Sequence, residues 1–252
     1  MCWSGQASAV VAAIGVTATA FAAYKKQPPA LWITLGYFTL MEVLQAFTYI
    51  YIDQCGQPSN QVATLLGYLH ITFQPFFISM LTMHFIPAQV REKIQYWVYA
   101  ACFISSVTML IQLYPFDWAG HCDIRRPLCG AHLCSIHGNW HIAWEVPTNG
   151  IGNFFVESLG GFFRQGFITY NIVAFVLPLF YGSWRLTIYH YIMGPFLSQR
   201  LTDNHNEWPA IWCLLSIGFL LIVVKGPLQR WMYVENYWTW RLLGYRTKPS
   251  AH

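Results

Sequence analysis

Three groups of residues in this chain have types and spacings that carry chemistry. The first is a pair. Glu42 lies in Leu-Met-Glu-Val-Leu-Gln-Ala-Phe and His70 in Tyr-Leu-His-Ile-Thr-Phe-Gln-Pro, both deep in apolar runs. An ionisable group in such a run is costly to bury and by default marks a functional site. A carboxylate beside an imidazole supplies metal ligands, an acid–base pair or steps of a proton path. The second group is Cys129, Cys134, His137 and His141, spaced x4, x2 and x3. Two cysteines with two histidines form a recognised zinc set. His137, His141 and Glu145 share one face if that stretch is helical. The third is Cys2. With Met1 removed it carries a thiol and a free amine, both a chelate and a nucleophile. Catalytic roles are therefore expected at Glu42, His70 and Cys2. Metal-ligating roles are expected at the same three residues and at His137 and His141, with zinc or another transition metal as cofactor.

The elements that must position these residues follow from composition. Lys and Arg number 14 and Asp and Glu 10, so 10% of the 252 residues are charged. An ordinary soluble domain has about 25%. Hydrophobic residues make up 56% and aromatic residues 18%, more apolar surface than one soluble core of this length hides. A disordered chain, a soluble nucleotide-binding enzyme and a soluble nucleic-acid binder are excluded. The net charge of +4 is spread over loops and tail, which argues against a nucleic-acid partner. The expected class is an all-α integral membrane bundle, one domain over residues 1–252, with the lipid bilayer as partner.

Apolar windows of about 20 residues place the spans. They are Gly5 to Tyr24, Ala30 to Ile52, Gln61 to Ile86, Ile94 to Tyr114, Gly166 to about Tyr189, and Trp208 to Val224. Lys25-Lys26 after the first span place that end in the cytoplasm and the N-terminus outside, in the bacterial inner membrane. The tail is rich in Lys and Arg and also belongs inside. Six spans would leave it outside. A seventh span or half-span in 147–165 resolves the conflict, so seven helices are expected and six remain open. The tail, 229–252, has the Trp, Tyr and Arg composition of an interfacial cytoplasmic segment.

Residues 115–147 form a Cys/His-rich outer loop. Cys55, Cys122, Cys129 and Cys134 all fall outside, where four cysteines read as two disulfides. Three pairings are open, and the zinc set competes with them. Counting along the helices sets depth. Glu42 lies about 15 Å from the outer end of its span and His70 about 13–14 Å from the outer end of the next. The two helices are antiparallel neighbours across a short loop, so Glu42 and His70 are expected to meet. His70, Gln74, Phe77, Leu81 and His84 share one face of the third span. His84 lies about 21 Å from His70, near the cytoplasmic edge, where Lys25, Lys26, His205 and Glu207 are expected to gather.

The opening Met1-Cys2-Trp3-Ser4, Glu42 with Gln45, Gln74-Pro75, and Ala210-Ile211-Trp212-Cys213 resemble a group of bacterial polytopic membrane proteins that begin Met-Cys-Phe/Trp-Ser-Ala. Gly5 stands here where that group has Ala. The resemblance implies a seven-helix membrane protein and brings no activity with it.

Three functional readings follow. One is a membrane-embedded, metal-dependent enzyme acting on a lipid or apolar small molecule. The second is a non-catalytic subunit, sensor or small transporter, with a structural Glu42–His70 pair and a disulfide-stapled outer loop. The third is a heme-binding electron-transfer protein. No Cys-x-x-Cys-His is present, so that heme would be held by histidine alone.

Overall fold

A computed structural model describes residues 3–153, 167–219, 222, 227–242 and 244. Cys2 and most of 147–165 lie outside the described residues.

Helix α1 (Gly5–Tyr24) starts at Ser4, whose hydroxyl accepts the Ala7 N–H at 3.3 Å. This satisfies one of the N–H groups that every helix start leaves open. Helices α2 (Pro29–Thr48) and α3 (Pro58–His84) each begin on a proline. Proline costs nothing there, because a first-turn N–H has no helical partner. Helix α4 (Ala88–Ile111) follows Pro87. These four helices are long and apolar enough to cross a membrane. Helix α3 is the central one, packed against α2 and α4. The outward faces of α1 and α4 carry Val10, Ile14, Phe21, Trp97, Phe103 and Ile104 in the open.

Beyond α4 the chain departs from an all-α fold. Strands β1 (Cys134–His137) and β2 (Ile142–Glu145) form an antiparallel hairpin in which Cys134 faces Glu145 and His137 faces Ile142. His137, His141 and Glu145 therefore do not share a helical face. A run of β-branched and aromatic residues interrupted by Gly138-Asn139 favours a hairpin over a helix.

The expected span from Gly166 to Tyr189 is also corrected. Helix α5 (Ile168–Phe180) stops at Gly182, whose φ of +94° is closed to most L-residues. Helix α6 (184–201) then runs back, as Trp184–Tyr191, a π turn at Ile192–Phe196 and Leu197–Leu201. A 3₁₀ turn, His205–Glu207, leads into α7 (Trp208–Ser216). The break makes two helices of what the sequence reads as one span, and the expected span or half-span in 147–165 lies mostly outside the described residues. Arg185, His190 and Arg200 lower the hydropathy of α6 and conceal it in the sequence.

The reversal decides which end each segment reaches. Tyr181, after α5, shares a 2.5 Å hydrogen bond with Thr82 at the far end of α3. Glu207, after α6, bonds the hairpin turn. Glu207 thus lies at the hairpin end, not with Lys25, Lys26 and His84 as expected. In the tail, α8 (Pro227–Met232) and the segment after it fold back on the α5–α6 turn. The Trp240 indole is 0% exposed and donates to the Tyr181 carbonyl at 3.0 Å. Val234 N–H donates to the Phe85 carbonyl at 2.9 Å.

Candidate functional site

The hairpin and the loops around it form a cap over one end of the helices. Two disulfides tie it down, Cys55–Cys134 and Cys122–Cys129. The first joins the α2–α3 loop to β1, and the second closes a short loop ahead of the hairpin. Both cysteines of the Cys129–His141 run are thereby consumed, so that run offers no thiolate for zinc. Among the described residues no three His, Cys, Asp or Glu side chains converge. His137 instead pairs with Asp53 through its backbone N–H and its ring. Burial would raise the Asp53 carboxyl, but the His137 bonds hold it below its ordinary value. Asn60, 0% exposed, gives its amide N–H to the Tyr51 and Ser135 carbonyls at 2.8 and 2.9 Å and accepts the Ser135 N–H at 2.9 Å.

Glu207 holds the turn of the hairpin. Its carboxylate accepts the backbone N–H groups of Asn139, Trp140 and His141 at 2.6, 2.7 and 2.8 Å. The Thr202 hydroxyl donates to it at 3.1 Å. A side chain at Gly138 would put its Cβ 2.2 Å from the Glu207 carboxyl carbon, so only glycine lets the two approach. Sequence reasoning missed this role, because it placed Glu207 at the opposite edge of the helices with Lys25, Lys26 and His205.

The turn places His141 over the helix ends. Its Nδ1 and the Tyr49 hydroxyl share a 2.8 Å hydrogen bond, and its Nε2 has no partner. Trp3 covers it from the other side. Its N–H donates to the Trp140 carbonyl at 3.2 Å, its ring stacks on Trp140, and its indole N–H donates to Ser8 at 2.9 Å. Burial pushes the His141 imidazole from an ordinary value of 6.5 down to about 3, so it stays neutral in the folded cap. The sign follows. Above about pH 6.5 neither state is charged and the cap is fully stable. Below it the unfolded chain takes up a proton that the folded one refuses, and stability falls by about 1.4 kcal/mol per pH unit down to about pH 3. Melting curves of wild type and His141→Asn across that window test this. Equal pH slopes in the two proteins would refute it.

Beneath the cap, α2 presents Glu42, Gln45 and Tyr49 on one face, spaced three and four apart. Glu42 and Gln45 are each 0% exposed. Gln45 gives its amide N–H to the Ala210 carbonyl at 3.2 Å, and its oxygen is unpartnered. Among the described residues both Glu42 oxygens are unpartnered as well. Ser8 and Cys213 are the polar side chains from α1 and α7 beside that carboxyl, Ser8 without the geometry of a bond. An ionised carboxylate left alone in such a core costs several kcal/mol.

The structure does not bring His70 to Glu42, and no hydrogen bond or ion pair joins them. The His70 ring stacks on Tyr37 at 3.9 Å, and the Tyr37 hydroxyl donates to the His70 carbonyl. Residues 37 and 42 are five apart, so they face directions about 140° apart on α2. His70 lies at the level of Tyr37, against a different flank, in an apolar groove with Leu40 and Phe73. Cys2 lies outside the described residues.

The position where the sequence departs from the Met-Cys-Phe/Trp-Ser-Ala pattern touches this site. A Cβ at Gly5 would lie 2.8 Å from the Tyr49 Cβ. Gly5→Ala is expected to lower stability. Overpacking of about 1–3 kcal/mol exceeds a helix-propensity gain of at most about 1 kcal/mol. A raised melting temperature in that variant would contradict the contact.

One family model matches residues 6–233, that of a family of unknown function (DUF5765). The match begins after Met1-Cys2-Trp3-Ser4, so it leaves that opening motif aside. No curated protein and no solved structure matches the chain.

Proposed function

We propose, for a chain that belongs to the DUF5765 family, an integral membrane protein of seven crossings. Its working centre is the Glu42 carboxyl, sealed beneath an extracytoplasmic, disulfide-stapled cap, and its role is that of a small proton-coupled transporter or sensor. The distribution of charge supports the membrane reading. Among the described residues, seven Lys or Arg (Lys25, Lys26, Arg91, Lys93, Arg185, Arg230 and Arg241) fall at the end away from the cap, against three (Arg125, Arg126 and Arg200) at the cap end. Both disulfides fall at the cap end. Cations favour the cytoplasmic side and disulfides the oxidising one, so the two signals agree on one orientation, with the N-terminus outside.

One observation carries the functional reading. Among the described residues, both oxygens of the fully buried Glu42 carboxyl have no hydrogen-bond partner. Such a group needs a neutralising species, and the smallest is a proton. A proton on Glu42 also provides a donor for the unpartnered Gln45 oxygen one turn away. The lone imidazole nitrogen of His141 and the Tyr49 hydroxyl continue the polar row toward the cap surface.

Infrared spectra of the purified chain test this, with metal content measured on the same samples. The expected result is a carbonyl stretch of a protonated carboxylic acid that disappears in Glu42→Gln, with no stoichiometric metal. One equivalent of metal lost in Glu42→Gln would replace the proton reading by a metal centre, with His141 and Cys2 as the next ligands to mutate. Neither signal in wild type would leave Glu42 as a packing residue.

A further inference from the structure

Just beyond α4 the cap carries a row of rings in the open. Tyr114 is 63% exposed and Trp118 75%, and Phe116 lies half-buried between them. The rings meet in chain order, Tyr114 with Phe116 at 4.7 Å between centroids and Phe116 with Trp118 at 5.5 Å. Large apolar side chains gathered on a surface mark a contact with something other than water. The backbone beneath them is satisfied from within the cap. Asn149 gives its side-chain N–H groups to the Ile111 and Tyr114 carbonyls at 3.0 and 2.8 Å, and its backbone N–H to the Gln112 carbonyl at 2.8 Å. A helix end ordinarily leaves its last carbonyls to water. Here they have protein partners, so this end of α4 can lie where water is scarce.

The length of α4 sets the level of the row. Arg91 and Lys93 stand near its start, and Tyr96 and Trp97 are exposed beside them. The rise from Lys93 to Tyr114 is roughly 32 Å, and the hydrocarbon core of a bilayer is about 30 Å thick. Between the two ends Phe103, Ile104 and Ile111 are exposed. The outward side of α4 thus has aromatic rings at both ends and an apolar middle, the order in which a spanning helix meets the two interfaces and the lipid core.

We propose that Tyr114, Phe116 and Trp118 lie in the head-group layer of the outer leaflet and anchor the cap to the bilayer surface. Rings with an apolar body and a polar tip are favoured at that boundary. Two observations select lipid over a protein partner. The row continues the exposed side of α4 through Ile111, and it stands one bilayer thickness from the cations at the other end. The row is also built into the cap. Gly150 N–H donates to the Gly120 carbonyl at 3.0 Å, Cys122 N–H to the Thr148 carbonyl at 3.1 Å, and the Cys122–Cys129 bridge follows directly. The cap then has two footings, the Glu207 bonds and this row in the lipid. The proposal rests on the membrane reading above but not on the proton at Glu42.

The test puts the photoreactive residue p-benzoylphenylalanine in place of Phe103, Trp118 or His132, one at a time, in the full chain in phosphatidylcholine nanodiscs. All three side chains are exposed, so none of the replacements disturbs a core. Adducts are located by tandem mass spectrometry. From position 118 lipid adducts are expected on the glycerol or the first chain carbons, and from position 103 farther down the chains. Position 132, elsewhere on the cap, should give a lipid yield at background. Lipid adducts at 103 without any at 118, equal lipid yields at 118 and 132, or cross-links from 118 to another protein chain in place of lipid would overturn the proposal. Absence of lipid adducts at 103 would overturn the membrane reading, and this proposal with it.

Discussion

Replacing Glu207 by alanine is expected to release the cap from the helices. The carboxylate satisfies three consecutive backbone N–H groups at 2.6–2.8 Å from a position with 0% exposure. Bonds to an ionised acceptor contribute about 1.5–3 kcal/mol each, and a buried donor left without an acceptor costs about 1–3 kcal/mol. The three are not additive, because a freed turn re-solvates as a unit. A net loss on the order of 4 kcal/mol is expected, a fall of roughly 10 °C in melting temperature for a chain of this size. Glu207→Gln keeps the volume but turns an amide NH₂ toward N–H donors, so it recovers only part of the loss. The readout specific to the cap is protease cleavage at 138–141. Unchanged melting and unchanged protection in Glu207→Ala would show that the three bonds do not hold the cap.

The two disulfides are expected to differ in weight. Cys55–Cys134 spans a sequence separation of 79 and Cys122–Cys129 one of 7. On the loop-closure account the first restricts the unfolded chain by about 4.5 kcal/mol and the second by about 2.5 kcal/mol. The Cys55→Ser/Cys134→Ser double variant should therefore melt well below the Cys122→Ser/Cys129→Ser one. It should also loosen the hairpin, since Cys134 is the first residue of β1 and is fully buried. Equal losses in both variants would mean that native contacts around each bridge, rather than chain entropy, set the values.

These effects bear on Glu42. The seal over its carboxyl is assembled from distant pieces. Trp3 comes from the start of the chain, His141 from the hairpin turn, and Tyr49 from the end of α2. Weakening either tie of the cap should admit water to the Gln45–Glu42 row, and the infrared signal of Glu42 should then exchange faster in heavy water. A small transporter or sensor has use for such an arrangement, because the group that carries the charge is separated from the outside by a part that opens as one unit.

Much of this protein was legible in one dimension. Long apolar windows yield four helices, α1 to α4, near their expected ends, because hydropathy and the approximately 20-residue requirement are properties of a local stretch. Pairing of the four outer cysteines was narrowed to three alternatives, and only the folded cap chooses among them, because proximity across 79 residues is not a local property. The matched family covers residues 6–233, a range that holds Glu42, Gln74-Pro75 and Trp212-Cys213 but not the opening Met1-Cys2-Trp3-Ser4.

What tertiary structure alone decided is direction. His70 looks at Tyr37 rather than Glu42, because which residues of α2 a side chain of α3 meets is set by how the helices pack and not by residue count. Gly182 turns an apolar run that reads as one span into two helices, because a single φ of +94° reverses the chain without altering its hydropathy. That reversal carries Glu207 to the hairpin end. The same carboxylate that sequence places beside Lys25 and Lys26 becomes the group that holds the cap, since a side chain's partners are fixed by which remote segments the turns bring to it.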